Sequence, residues 1–335
     1  DWSSDVCIVY WEGKYWFCCD GSTVAASDGA AGQSVWMSTS EDGVTWESPY
    51  MPLRSTHYRT NPVPLVSPPN LTDPDRQWQP NLAVVGDELW MTWTGLSGFV
   101  SKLSSPTGKW TNYRVEFHNS VPLLTPTLSG GASSGNTLAP TYDGISDWWV
   151  YFSSSPVCLP NGTVLCPATL ETPTHLSVQT ASTNEFTTKI KYNCLLVCTD
   201  GTWSMTVLPR GYLKDFAPWE PFVVVNPSGH VYVYSRNLAV EDADADMLGV
   251  AVSRDGGQTF TPTVSTKMPV VSSRGMAHQV SPTRWLLPHC DFPQLSDGTW
   301  NHYPVNRVNG SVFVSRRGVT DFVPGISFGG NASVG

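Results

Sequence analysis

The stretch Asp5-Val-Cys-Ile-Val-Tyr-Trp-Glu-Gly-Lys-Tyr-Trp-Phe17 reads as an apolar run, a tight turn at Glu12-Gly13 and an aromatic run. Two short runs of β-branched and aromatic residues across a Gly-containing turn are the signature of a hairpin. The same unit returns as Gln79-Pro-Asn-Leu-Ala-Val-Val-Gly-Asp-Glu-Leu-Trp-Met91 and as Ala139-Pro-Thr-Tyr-Asp-Gly-Ile-Ser-Asp-Trp-Trp-Val-Tyr151. A fourth copy is Glu220-Pro-Phe-Val-Val-Val-Asn-Pro-Ser-Gly-His-Val-Tyr-Val-Tyr234, and a looser fifth is His278-Gln-Val-Ser-Pro-Thr-Arg-Trp-Leu-Leu287. The starts lie 74, 60, 81 and 58 residues apart, enough in each interval for one four-stranded sheet and a loop. Helical periodicity is almost absent, so the expected fold is all-β: a five-bladed β-propeller filling residues 1–335 as one domain. A sixth blade would have to hide in an insert.

Two long intervals carry the excess length. Residues 47–78 are rich in Pro, Asn and Asp, and residues 156–188 read as a Cys-, Thr- and Pro-rich insert; long loops on a rigid scaffold build binding-site rims. A second motif also repeats. Ser38-Thr-Ser-Glu-Asp-Gly-Val-Thr-Trp46 and Ser253-Arg-Asp-Gly-Gly-Gln-Thr-Phe260 resemble the Asp-boxes of sialidase-type propellers, with degenerate versions at Thr199–Trp203, Ser296–Trp300 and Ser315–Phe322. Asp-Gly supplies the tight turn and the aromatic plugs neighbouring sheets, so these motifs speak for fold and carry no chemistry.

Composition narrows the partners. Lys and Arg number 19 against 28 Asp and Glu, a formal charge of −9, which argues against nucleic acid and anionic membrane surfaces. No apolar run approaches a membrane span, and the chain, opening at Asp1 without a charged-then-apolar leader, reads as soluble and processed. Sequons at Asn70, Asn161, Asn309 and Asn331, together with eight Cys, suit a secreted, extracellular chain, with a monomer as the expected state. Disulfides are expected: Cys158 with Cys166 would staple the loop carrying Asn161, Cys194 with Cys198 is a second possibility, and the other four cysteines could bridge the first and last parts of the chain, connectivity staying open; no matched pair of CxxC motifs favours zinc.

The first strand of a propeller blade lines the central channel, so the opening residue of each repeat is a candidate for the site: Asp5, Gln79, Ala139, Glu220 and His278. Trp78 and Trp219 precede the second and fourth, and flat indole faces suit sugar rings. Two carboxylates, an amide and an imidazole suit hydrolysis of a glycosidic bond, which needs a proton donor and a base or nucleophile. Arg236 and Arg274 would suit a substrate carboxylate, since guanidinium binds carboxylate bidentately. For Glu220, pairing with one of these arginines is the purely structural alternative.

The order Asp5, Trp78-Gln79-Pro80-Asn81, Ala139-Pro140, Glu220-Pro221, His278 is similar to the arabinanase and β-xylosidase class of five-bladed glycoside hydrolases. The resemblance implies Asp5 as general base, Glu220 as general acid, and His278 as neighbour of an ion, Ca²⁺ being the candidate, with no cofactor required. It departs from that class at Ala139, where an Asp tuning the acid would stand; Asp143 and Asp215 are the substitutes. The partner expected on this reading is a carbohydrate substrate. Two further readings stay open. A lyase acting on a uronate would use His57, Tyr58 and Arg59 to move a proton and neutralise the carboxylate. A lectin would bind sugar without cleaving it. The acidic run Glu241–Asp246 offers oxygen ligands to Ca²⁺ but lacks EF-hand spacing.

Overall fold

The computed structural model describes residues 2–22, 33–53, 77–95, 98–118, 121–127, 149–171, 176–179, 185–188, 191–209, 218–237, 247–269, 277–281, 284–291, 308–315 and 322–328. These residues form no helix, and their strands fall into the five antiparallel blades of a five-bladed β-propeller. The first sheet holds β1 (Trp2–Trp11), β2 (Lys14–Ser22) and β3 (Ser34–Ser40) in chain order. The second runs β4 (Trp78–Val85), β5 (Glu88–Thr94), β6 (Gly98–Leu103), β7 (Thr111–His118) and β8 (Val121–Thr127). In the third, β9 (Trp149–Phe152) and β10 (Val157–Cys158) both pair with β11 (Val164–Glu171). β14 (Lys191–Thr199) and β15 (Thr202–Val207) complete that sheet; β12 (Leu176–Gln179) and β13 (Glu185–Thr188) form a separate hairpin. The fourth sheet is β16 (Pro218–Val225), β17 (Val231–Asn237), β18 (Met247–Ser253) and β19 (Val264–Pro269). The fifth is β20 (His278–Ser281), β21 (Arg284–Asp291), β22 (Val308–Ser315) and β23 (Phe322–Phe328).

Four of the five hairpins read from the repeats form in the expected place. The opening run and turn of the third, 139–148, lie outside the described residues; its aromatic run forms β9, which with β10 flanks one edge of β11. Part of the supposed insert at 156–188 is core. β11 is buried along its whole length, because Val164-Leu-Cys-Pro-Ala-Thr-Leu is a central strand with sheet on both sides. Thr199-Asp200-Gly201-Thr202 also proves to be something other than a degenerate Asp-box. Asp200 and Gly201 have φ of 50° and 78°, the left-handed pair of a two-residue type I′ hairpin joining β14 to β15.

The chain comprises two compact units. Asp1–Cys166, Leu170–Ile190 and Leu196–Met205 make up one, whose core holds Met37, Leu82, Leu89, Met91, Trp93, Phe99, Phe152 and Leu165, each under 2% exposed. Trp93 and Phe99 stack at 4.1 Å, and the Trp90 ring carries Trp203 at 6.3 Å and the Lys102 ammonium at 3.9 Å. Gly98 is required here: a Cβ would lie 2.8 Å from Phe152 Cε2. In the other unit, Pro167–Thr169, Lys191–Leu195 and Thr206–Gly335, Phe222 stacks on Tyr234 at 5.2 Å among Val223, Val233, Leu248 and Ala251.

The two short-range disulfides expected do not form, and none of the seven cysteines whose side chains are described is in a disulfide. Cys194 and Cys198 share the extended strand β14, where four residues span about 13 Å. Cys158 pairs across the ladder with Val164, leaving Cys166 two residues out of register. That diagonal is about 7–8 Å, beyond what a disulfide bridges without backbone movement.

Candidate functional site

Three strands open on the same irregularity. In β1 the register passes from Ser4↔Asp20 to Cys7↔Cys18, so Asp5 and Val6 together face Cys19. In β4, Gln79 and Pro80 face Trp93; in β16, Glu220 and Pro221 face Ser235. Each is a two-against-one bulge, and its first residue is left-handed: φ is 53° at Asp5, 55° at Gln79 and 48° at Glu220. Glycine is the natural occupant of that conformation, and a residue before proline is ordinarily extended. Non-glycine residues with side chains that bind or react therefore hold three strained, equivalent positions, and they are residues singled out from the repeat.

In the first unit the second bulge is over-determined. The Gln79 N–H donates to Asp20 Oδ2 at 2.9 Å, and the Gln79 carbonyl accepts from Asn81 Nδ2 at 2.7 Å. Asp20 and Asn81 are fully buried, and a strained backbone persists where fixed partners hold both of its peptide groups. Trp78, expected as a sugar platform, is buried with its ring 6.1 Å from Tyr151. Asp5 is half-buried. Its bulge partner Cys19 is kept a neutral thiol, its pKa pushed up to about 12 by burial and then by the charge of Asp20, so it offers no nucleophile.

In the second unit Glu220, 6% exposed, is ion-paired: Arg236 Nη1 lies 2.6 Å from its Oε2, and both side chains are largely withdrawn from water. Register explains the meeting, for Arg236 sits on β17 opposite Trp219, one residue before the bulge. Asp20 and Thr94 occupy the matching places opposite Ser4 and Trp78. All three use their side chains across strands, Thr94 Oγ1 accepting from the Phe152 N–H at 3.0 Å. Ser235, which faces the Glu220 bulge, accepts from Asn193 Nδ2 at 2.7 Å, and Asn193 Oδ1 accepts from Thr169 at 3.1 Å. The half-buried Trp219 has the Lys191 ammonium 3.4 Å from its ring centroid and the Arg236 guanidinium at 5.3 Å, so cations cover the indole.

His278 opens β20 half-buried, and burial pulls its pKa down, which keeps the imidazole neutral at pH 7. Among the described residues no group of three His, Cys, Asp or Glu side chains is arranged to hold a metal. His57, Tyr58, Arg59, Arg274, Asp143, Asp215 and the Glu241–Asp246 run lie outside the described residues. Asp20 and Lys191 were missed from sequence. Counting ladder pairs from the Glu12-Gly13 turn would have set Asp20 beside Asp5; nothing local marks Lys191.

No family model and no curated protein matches this chain. Solved structures share its fold. A Dyadobacter fermentans protein of unknown function is 13% identical at a TM-score of 0.59, over 93% of this chain and 89% of that one. A Trypanosoma rangeli sialidase mutant displaying trans-sialidase activity is 15% identical at 0.57, over 96% of this chain and 47% of its own. A Hadza microbial sialidase is 13% identical at 0.57, over 93% and 56%. This chain thus spans about half the length of the two sialidase chains. At such identities the likeness extends to the β-propeller fold.

Proposed function

We propose that the protein is a secreted, carbohydrate-active glycoside hydrolase, with Asp5 and Glu220 as its working carboxylates. The observation that carries this is the bulge strain: polar side chains are retained at equivalent left-handed positions where glycine would relieve the backbone, a pattern that clusters at functional sites. The sialidases of like fold are in keeping with a glycan substrate.

Glycosidic cleavage needs one group that transfers a proton and one carboxylate that attacks, or activates water, while positive charge develops at the sugar. The resemblance gives the acid's part to Glu220 and the base's to Asp5. Arg236 favours the opposite division: an ion-paired carboxylate with its Oε2 engaged is an oriented, charged group suited to base or nucleophile. Asp5 then moves the proton. Gln79, locked by Asp20 and Asn81, is assigned to substrate hydroxyls, and Lys191 and Arg236 to an anionic substituent. Ca²⁺ is not required by this scheme.

The test is incubation with sialosides, arabinans, xylans and uronate-containing gums, following reducing ends and the ultraviolet absorbance of unsaturated uronate. Reducing ends without absorbance are expected, with Glu220→Gln losing at least about 10³-fold in turnover while keeping its fold. Absorbance would establish the lyase and send the search to His57, Tyr58 and Arg59. Binding without either product would leave a lectin.

A further inference from the structure

We propose that Asn161 is an N-glycan acceptor, the glycan standing on the tip of the β10–β11 hairpin. This assignment is independent of the hydrolase reading. Asn161-Gly162-Thr163 occupies a short turn closed by Leu159 N–H to Thr163 O at 2.8 Å and Gly162 N–H to Leu159 O at 2.9 Å. Asn161 and Gly162 are exposed, and a Cβ built on Gly162, whose φ is 84°, would meet nothing within 4 Å. The Thr163 N–H donates to Asn161 Oδ1 at 3.1 Å, an Asx turn that fixes the amide by its oxygen. The opposite end, Nδ2, is the atom that takes the sugar, and among the described residues it has no hydrogen-bond partner.

Thr163 has two successive uses. In the nascent chain its hydroxyl completes the acceptor triplet. After folding the same hydroxyl lies 3.2 Å from that of Thr199, 6% of the residue remaining exposed, so the sheet reclaims it while Asn161 stays in solvent. The surroundings at Asn309 differ. It lies within β22, whose next residue, Gly310, is paired with Cys290 on one side and Phe328 on the other. Asn70 and Asn331 lie outside the described residues.

The donor required is an oligosaccharide linked to a lipid diphosphate. Nδ2 forms the C–N bond at the anomeric carbon, the C–O bond to diphosphate breaks, the lipid diphosphate leaves with the electron pair, and Nδ2 gives one proton to the transferase's base. To test this, the 335-residue chain is expressed behind a secretory leader in eukaryotic cells, and secreted and cell-associated pools are both collected. Amidase release in H₂¹⁸O followed by peptide sequencing should find ¹⁸O-labelled Asp at position 161. N161Q and T163A should each lose the mobility shift of one glycan, T163S should keep it, and the N70Q/N309Q/N331Q variant should still carry one. An unmodified Asn161 peptide in the wild-type chain, whether or not another sequon is occupied, overturns the assignment. So does a T163A chain that retains every glycan.

Discussion

Asp5, Gln79 and Glu220 invert the usual ranking of substitutions. At an ordinary strand position Ala is at least as stable as Gly, but a Cβ in the left-handed region costs about 1 kcal/mol. We therefore expect Q79G to be more stable than Q79A by about 1 kcal/mol in urea unfolding, with the same order at positions 5 and 220; Ala above Gly would mean that the backbone there is unstrained. Arg236 gives a second residue-scale prediction. Glu220 is buried, so R236M leaves a carboxylate without its cation and should cost about 3–5 kcal/mol, most of it regained in the E220Q/R236M double variant. A purely additive double variant would show that the pair is not coupled. The candidate residues themselves were legible because each opens a visible repeat. Their partners were not, since Asp20 lies 59 residues from Gln79 and only ladder register brings the two together.

At the scale of the element, the two Ser-x-Asp-Gly turns share one construction. Asp42 Oδ1 accepts the Val44 and Thr45 N–H groups and Ser40 hydrogen-bonds beside them; Asp255 does the same for Gln258 and Thr259, with Ser253. Hydrogen bonds that favour the charged form hold both carboxyls well below the usual aspartate range, led by the Thr45 N–H for Asp42 and by the Thr259 hydroxyl for Asp255. A carboxyl with a lowered folded pKa stabilises the fold above its unfolded value, near 3.9, and that contribution fades as pH falls further. Thermal scans from pH 5 downward should show D42N and D255N converging on wild type in acid; a constant offset would exclude these carboxylates as the acid-sensitive groups. The sequence showed these turns because all their partners are local. Trp46 shows the limit of such reading, packing edge-on against Phe17 of the first sheet at 5.7 Å. Gly98 supplies another test at this scale: G98A drives a methyl into buried Phe152 and should cost about 1–3 kcal/mol, so a neutral change would mean that the ring can retreat.

Across the whole molecule, the blade count was readable from recurring hairpins, whereas the buried strand β11 inside the expected insert was not. The Cys, Thr and Pro content of 156–188 hides Val164–Glu171, which pairs with β9, β10 and β14 as a central strand. The thiols give a prediction at this scale. Cys166 and Cys194 are fully buried, and burial pushes both well above the ordinary thiol range. Native protein should resist iodoacetamide at these two positions and react in urea; rapid native labelling would show the third sheet opening locally. The stacked indoles of Trp90 and Trp203 have an optical consequence as well. Rings 6.3 Å apart and inclined by 29° absorb as a coupled pair rather than as independent chromophores, so their joint circular dichroism vanishes when the second and third sheets separate, even while every strand remains hydrogen-bonded.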